Sequence, residues 1–196
     1  RSAQSPGCFP ATDPLALGFV GRNGVFHANE AARTCDVLLA LGVRFDDRSS
    51  SSWIPGYSFN IPPTRLIHVD IDGEEIGRNY PVHLGIVGDV RTVLRQLLAA
   101  TEAPGPEAVA RDAWLADIAK WRAQWEEFVR PHETSEAEPI HPQRVVQALR
   151  AVMPDDGIIL PDVGVHHNWV VQFWRARRPQ TLLNSWGFGA MGFGVC

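Results

Sequence analysis

Residues 161–194 read PDVGVHHNWVVQFWRARRPQTLLNSWGFGAMGFG. The stretch joins an acidic turn to a His pair, a Trp-rich amphipathic segment and a loop with glycine at every second or third position. A short apolar run, Gly157 to Leu160, leads into it and ends at Asp162, Val163 and Gly164. In open α/β sheets, ligands sit beyond the carboxyl ends of strands. Glycine loses more backbone freedom on folding than any other residue, so Gly187, Gly189, Gly192 and Gly194 make sense where backbone turns with positive φ or approaches something closely. Tight packing of a sheet on a helix would meet that need too. The strand end just before the loop favours a ligand.

Working outward, Val37–Leu41 is a continuous apolar run closed by Gly42, the pattern of a parallel strand buried on both faces. Arg65–Asp70 and Leu84–Val87 repeat it, ending in Asp70-Ile71-Asp72 and in Gly88-Asp89. Asp89 is placed to cap a helix over Val90–Ala100. A glycine-spaced loop, Gly18 to Gly24, precedes a short helix ending at Thr34, and its GxxGxxG spacing is not the dinucleotide fingerprint. The early prolines Pro6, Pro10 and Pro14 exclude a long helix at the start.

Between Pro104 and Pro139, Trp114, Ile118, Trp121, Trp125 and Phe128 recur at helical spacing and predict one packed face. The acidic run ETSEAE (133–138) reads as an exposed linker. A further helix is expected from His141-Pro142 through Val152, with Val145, Val146, Leu149 and Val152 on one side. Strands follow at 157–160 and 181–183. The expected fold is α/β, with two incomplete Rossmann-like three-layer domains of parallel sheet joined by a helical linker. The boundaries fall at 1–103, 104–139 and 140–196, and the turn-rich start and glycine-loop end read as parts of a longer polypeptide.

Composition removes several function classes. With 196 residues and 45% hydrophobic content the chain can bury a core. A formal charge of -4 and a pI near 6.0 argue against nucleic acid as a partner. Arg175, Arg177 and Arg178 are the one basic cluster and read as a solvated helix end. No apolar run reaches the about 18 residues needed to span a bilayer, and no signal peptide is recognisable. Cys8, Cys35 and Cys196 are odd in number and far apart, which implies a reducing compartment, a cytoplasmic location and no zinc site. His166 and His167 would point about 100° apart on a helix and would not chelate together. No serine or cysteine sits in a nucleophilic triad context. Asp46 and Asp47 can pair in their loop with Arg44 and Arg48, which would depress their pKa values, the wrong direction for a general acid.

From the residues alone, rival readings stay open. Gly187 to Gly192 matches GxGxxG after a strand, as a nicotinamide-dinucleotide-binding oxidoreductase module requires, and the deciding acid would lie about 20 residues further on. A catalytically silent nucleotide-binding or assembly fragment is another.

The runs DVGVHHNWVVQFW (162–174) and SWGFGAMGFG (185–194) resemble the start of the diphosphate-binding domain of thiamine-diphosphate-dependent enzymes, and within them the acetolactate synthase large subunits. NEAARTCDVLLALGVRFDDR (29–48), RLIHVDIDGEEIGRN (65–79) and IVGDV (86–90) resemble the middle domain of the same enzymes in order and spacing. Departures are Val165 for Gln, His167-Asn168 for Gln-Met, Trp186 for Gly, and the segment Ser49 to Pro63.

The resemblance implies thiamine diphosphate and Mg2+ as cofactors, with the Mg2+ ligands and the activating Glu outside these residues and no catalytic residue among them. His166 would lie by the diphosphate, Gly189 and Met191 would border the aminopyrimidine, and Val163 and Gly164 would complete the cofactor contacts. Arg44, Asp70 and Asp89 would hold FAD, structural in that family. The implied reaction is decarboxylation of a small 2-oxo acid followed by carboligation, in a homodimer or homotetramer. On this reading the 196-residue chain alone is inactive and binds thiamine diphosphate weakly or not at all.

Overall fold

The computed structural model describes residues 8–101, 108–184 and 189–195. The architecture is α/β. Strands β1 (Val37–Leu41), β2 (Arg65–Asp70) and β3 (Leu84–Val87) form one parallel sheet in the order β1-β2-β3. Val37 pairs with Arg65 and Leu41 with Val69, while Ile67 pairs with Leu84 and Asp70 with Val87. These strands have the bounds expected from the sequence. The expected burial on both faces holds only for the central strand β2: β1 buries Ala40 but leaves Val37 and Leu39 exposed, and β3 leaves Leu84 and Val87 exposed, because edge strands have a neighbour on one side only.

Helix α1 (Phe26–Thr34) buries His27, Ala28, Ala31 and Ala32 and packs against α3 (Ala108–Glu133), where the His27 ring lies 6.5 Å from that of Trp125. Helix α2 (Val90–Ala100) starts where predicted, with the Asp89 carboxylate accepting from Thr92 N at 2.9 Å. Helices α4 (Pro142–Val152) and α5 (Val165–Phe173) follow, then a short 3-10 turn, Phe193–Val195. Among the described residues no helix is long and apolar enough to cross a membrane.

Two expected faces are shifted. On α3, Ile118 is buried and Trp114, Trp121 and Trp125 are half-buried, but Phe128 is 67% exposed and Val129, at 3%, takes the core position. Val129 is eleven positions beyond Ile118, roughly 20° past three full turns, whereas Phe128 falls about 80° short of them. On α4, Val146 is buried, while Val145, Leu149 and Val152 are exposed. The buried partner of Val146 is Arg150, one turn on. Its guanidinium lies 4.4 Å from the centre of the Trp174 ring and donates to Met153 O at 2.6 Å and Pro154 O at 2.7 Å. An arginine stem packs like an aliphatic chain once its head has carbonyls to cap.

The second parallel pairing is small. Where strands were expected at 157–160 and 181–183, Ile159 and Leu182 form an isolated parallel bridge, with Ile159 N donating to Thr181 O at 2.9 Å and Leu183 N to Ile159 O at 3.0 Å. Parallel pairs gain regularity from neighbours on both sides, and Ile158 and Leu160 are exposed here.

Helix α3 does more than link. It packs on α1 and α4, and Trp125 stacks on Phe173 of α5 at 6.1 Å and 7°, with Trp169 on the same ring at 6.0 Å and 18°. The segment Ser49 to Pro63 is folded back on itself: Ser50 and Ser58 are buried, the hydroxyls of Ser51 and Ser58 share a 2.6 Å hydrogen bond, and Trp53 Nε1 donates to Phe45 O at 2.7 Å. In the preceding loop Asp46 accepts from Ser49 N at 2.8 Å, and the ion-pair partner of Asp47 is Arg22, at 2.9 Å. That arginine was not among those expected to pair there. The three arginines after α5 are exposed as expected, Arg175 meeting Glu126 at 3.4 Å and Arg177 meeting Asp155 at 2.6 Å.

Candidate functional site

The glycine loop is tied to the strand end by one carboxylate. Asp162 Oδ1 accepts from Val163 N at 2.6 Å, and both its oxygens accept from Gly192 N, at 3.1 and 2.8 Å. These backbone donors, with smaller help from the charge of His166, hold the Asp162 pKa below the ordinary carboxylate range against a small opposing effect of burial. The turn after Gly192 closes against the same strand end, since a Cβ on Gly194 would stand 3.0 Å from Leu160 O.

That tie gathers residues thirty positions apart. Val163 is half-buried, and its Cγ1 would be 3.9 Å from a Cβ on Gly189. Gly164 is the N-cap of α5 with φ 155 and ψ -178, a region open essentially to glycine, and the imidazole of His166 folds over it: a Cβ would meet His166 Cε1 at 2.6 Å. A side chain at this position would displace the imidazole. His166 and Gly189 are exposed, Gly189 at φ 64, and Met191 is 83% exposed. Val165, where the family pattern has Gln, is also exposed, at 69%. Trp186 and Gly187 lie outside the described residues.

The two histidines part company as the helix geometry requires. His166 faces solvent, whereas His167 is buried and its pKa is lowered, first by burial and then by the charges of His166 and Arg48. Among the described residues no cluster of His, Cys, Asp or Glu is arranged to hold a metal.

Of the other expected residues, Asp70 ends β2, while Arg44 and Asp89 follow the ends of β1 and β3 by three and two positions. Arg44 is exposed. Asp70 is buried and accepts from Asp72 N at 3.0 Å, and Asp89 is engaged as the cap of α2. The reading from sequence noted Asp162 at the end of the apolar run but gave it no role, since nothing local in the sequence pointed to Gly192 as its partner.

Comparison with known proteins bears on this arrangement. The family model for the central domain of thiamine pyrophosphate enzymes matches residues 2–97, and that for their C-terminal TPP binding domain matches residues 162–196. The chain belongs to the thiamine pyrophosphate enzymes. It is 39% identical over 194 residues to a probable acetolactate synthase large subunit of Methanocaldococcus jannaschii, covering 96% of the chain and 31% of that protein. It is 37% identical over 193 residues to probable acetolactate synthase 2, chloroplastic, of Oryza sativa subsp. japonica, covering 96% of the chain and 28% of that protein. Against the acetolactate synthase isozyme 3 large subunit of Escherichia coli it is 36% identical over 192 residues, covering 96% and 32%.

The chain thus spans about a third or less of the length of these relatives. Its GxGxxG sequence falls inside the matched TPP binding domain, which favours the thiamine reading over the nicotinamide module.

Proposed function

We propose that these residues form part of a thiamine-diphosphate-dependent enzyme that decarboxylates a small 2-oxo acid and joins the product to a second one, as the names of the acetolactate synthase relatives suggest. The observation that carries the reading is the Asp162 tie. It brings the bare backbone of Gly189 near Val163, at the start of the helix that bears His166, with the Met191 side chain exposed in the same loop.

The residues present suit the cofactor. Gly189 and Gly192 leave open backbone where a flat ring could rest, for a Cβ on Gly192 would meet nothing within 4 Å. Met191 would support that ring, and His166, with the α5 N-terminus behind it, would face the diphosphate. When bound, thiamine diphosphate supplies the nucleophilic carbon and electron sink for decarboxylation. The protein residues bind and orient it, and Asp162 holds the loop rather than moving a proton. Mg2+ and the activating carboxylate would come from residues other than those described. At the β1, β2 and β3 ends, Arg44, Asp70 and Asp89 would serve FAD, and the assembly would be a homodimer or homotetramer in the cytoplasm.

Calorimetric titration of thiamine diphosphate with Mg2+ into the full-length polypeptide that carries these residues, not the 196-residue segment alone, tests the proposal. Saturable binding weakened about tenfold or more by Gly189→Val is expected; the same affinity in both proteins would rule out this loop as the ring site. The visible spectrum of the same sample answers the flavin part separately, because a colourless protein removes FAD and leaves the thiamine site standing.

A further inference from the structure

We infer that Asn23, in the glycine loop of the central domain, is a positioning residue for α5 and through it for His166, an inference that rests on the thiamine diphosphate reading above. Asn23 grips the helix twice. Its side-chain amide donates to Asn168 Oδ1 at 3.2 Å, and its backbone carbonyl accepts from Gln172 Nε2 at 2.7 Å. Asn168 and Gln172 are one turn apart, so both bonds act on one face of α5.

Helix α5 needs such support. It has only nine residues, and its N-cap, Gly164, offers no side-chain cap to fix the first turn. His166 stands two positions before Asn168, so a slide or rotation of the helix about its own axis would carry the imidazole off Gly164.

The gripping loop is itself anchored. Asn29 closes both polar groups of Gly21, accepting from its N at 2.9 Å and donating to its O at 3.1 Å. Arg22 N donates to Arg48 O at 2.9 Å, and the Arg22 guanidinium pairs with Asp47 and also donates to Ser52 Oγ. Gly21 has φ 116, and a Cβ on it would stand 2.3 Å from Arg48 O, so the loop lies directly on the segment after β1. Phe19 adds an apolar contact to Val171 of α5. The GxxGxxG spacing is thereby explained as close packing in the service of a clamp. The chain of contacts runs from the end of β1 through residues 21–23 to the helix of the cofactor site.

The test uses the full-length polypeptide that carries these residues, with thiamine diphosphate and Mg2+ as the probe. Asn168→Leu removes the acceptor, and Asn168→Asp keeps it. We expect Asn168→Leu and Asn23→Ala each to raise the cofactor dissociation constant about five- to tenfold, Asn168→Asp to stay within about twofold, and turnover at saturating cofactor to change less than about twofold in all three. A second readout needs no cofactor: amide exchange in α5 should quicken about fivefold in Asn168→Leu and Asn23→Ala but not in Asn168→Asp. Should Asn168→Leu fold poorly, Asn23→Ala carries the same comparison. Unchanged exchange in α5 overturns the clamp whatever the cofactor does. Quickened exchange with unchanged cofactor affinity in a wild type that binds overturns the link to His166, whereas a wild type that binds no thiamine diphosphate overturns the functional reading instead.

Discussion

Asp162 shows how much a single side chain can organise. Its carboxylate takes the amides of Val163 and Gly192, residues far apart in sequence. A carboxylate whose folded pKa is depressed contributes stability above the unfolded pKa and loses it as pH falls through the folded one. The tie is therefore fully present at neutral pH and released only in acid. In Asp162→Ala, exchange of the Gly192 amide at pH 7 should quicken about tenfold, measured by hydrogen exchange with mass spectrometry, while the sheet of β1, β2 and β3 keeps its protection. Equal exchange at Gly192 in both proteins would show the tie to be unimportant. The acid was legible at its strand end, but its partner was not, because hydrogen-bond pairing across thirty positions follows from how the chain turns back.

At the scale of elements, strand positions and the α2 cap could be read directly, since apolar runs and an Asp before a helix are local signals. Helix faces were harder. The α4 face was expected to be all aliphatic, yet Arg150 fills the core position beside Val146 and reaches the ring of Trp174 beyond α5. A hydrophobicity pattern scores arginine by its charge and misses a head that finds two carbonyls and an aromatic ring. Arg150→Ala should lower unfolding stability by about 2–4 kcal/mol through lost packing and an uncovered Trp174. Arg150→Lys should recover little of it, because an ammonium cannot lie flat on the ring while serving both carbonyls. Denaturant unfolding of the two variants is the measurement, and full recovery by lysine would refute the stacked-fork account.

Across the whole molecule, the junction between the central-domain loop, α3 and α5 forms a partly open pocket of about 90 Å³, lined among others by His27, Arg122, Trp125, Glu126, Val171 and Arg175. It is distinct from the Asp162 loop, none of whose residues line it. Burial first, and then the charge of Arg122, lowers the His27 pKa to about 4, with the charge of Glu126 and a hydrogen bond to the Leu17 backbone opposing and Arg175 adding to the depression. His27 is thus neutral when folded and must be protonated on unfolding in mild acid. Its contribution is intact above the ordinary imidazole pKa of 6.5 and declines as pH falls from there through about 4. Thermal unfolding followed from pH 7 to pH 4 should show a fall that His27→Gln flattens. Parallel curves for the two proteins would place the acid sensitivity elsewhere.

What the residues alone determined about this protein is its class and its family: apolar runs closed by glycine and acid imposed parallel strands, and the wording of 29–48, 65–79 and 162–194 carried the resemblance to thiamine-diphosphate-dependent enzymes, which the matches to residues 2–97 and 162–196 uphold. The tertiary structure decided which residues meet. It chose Val129 over Phe128 and Arg150 over Leu149 for the core, bound Asp162 to Gly192, and set Asn23 against α5. Local patterns depend on neighbours a few positions away, whereas these choices depend on which distant backbone donors, carbonyls and rings are left to be satisfied once the helices have packed.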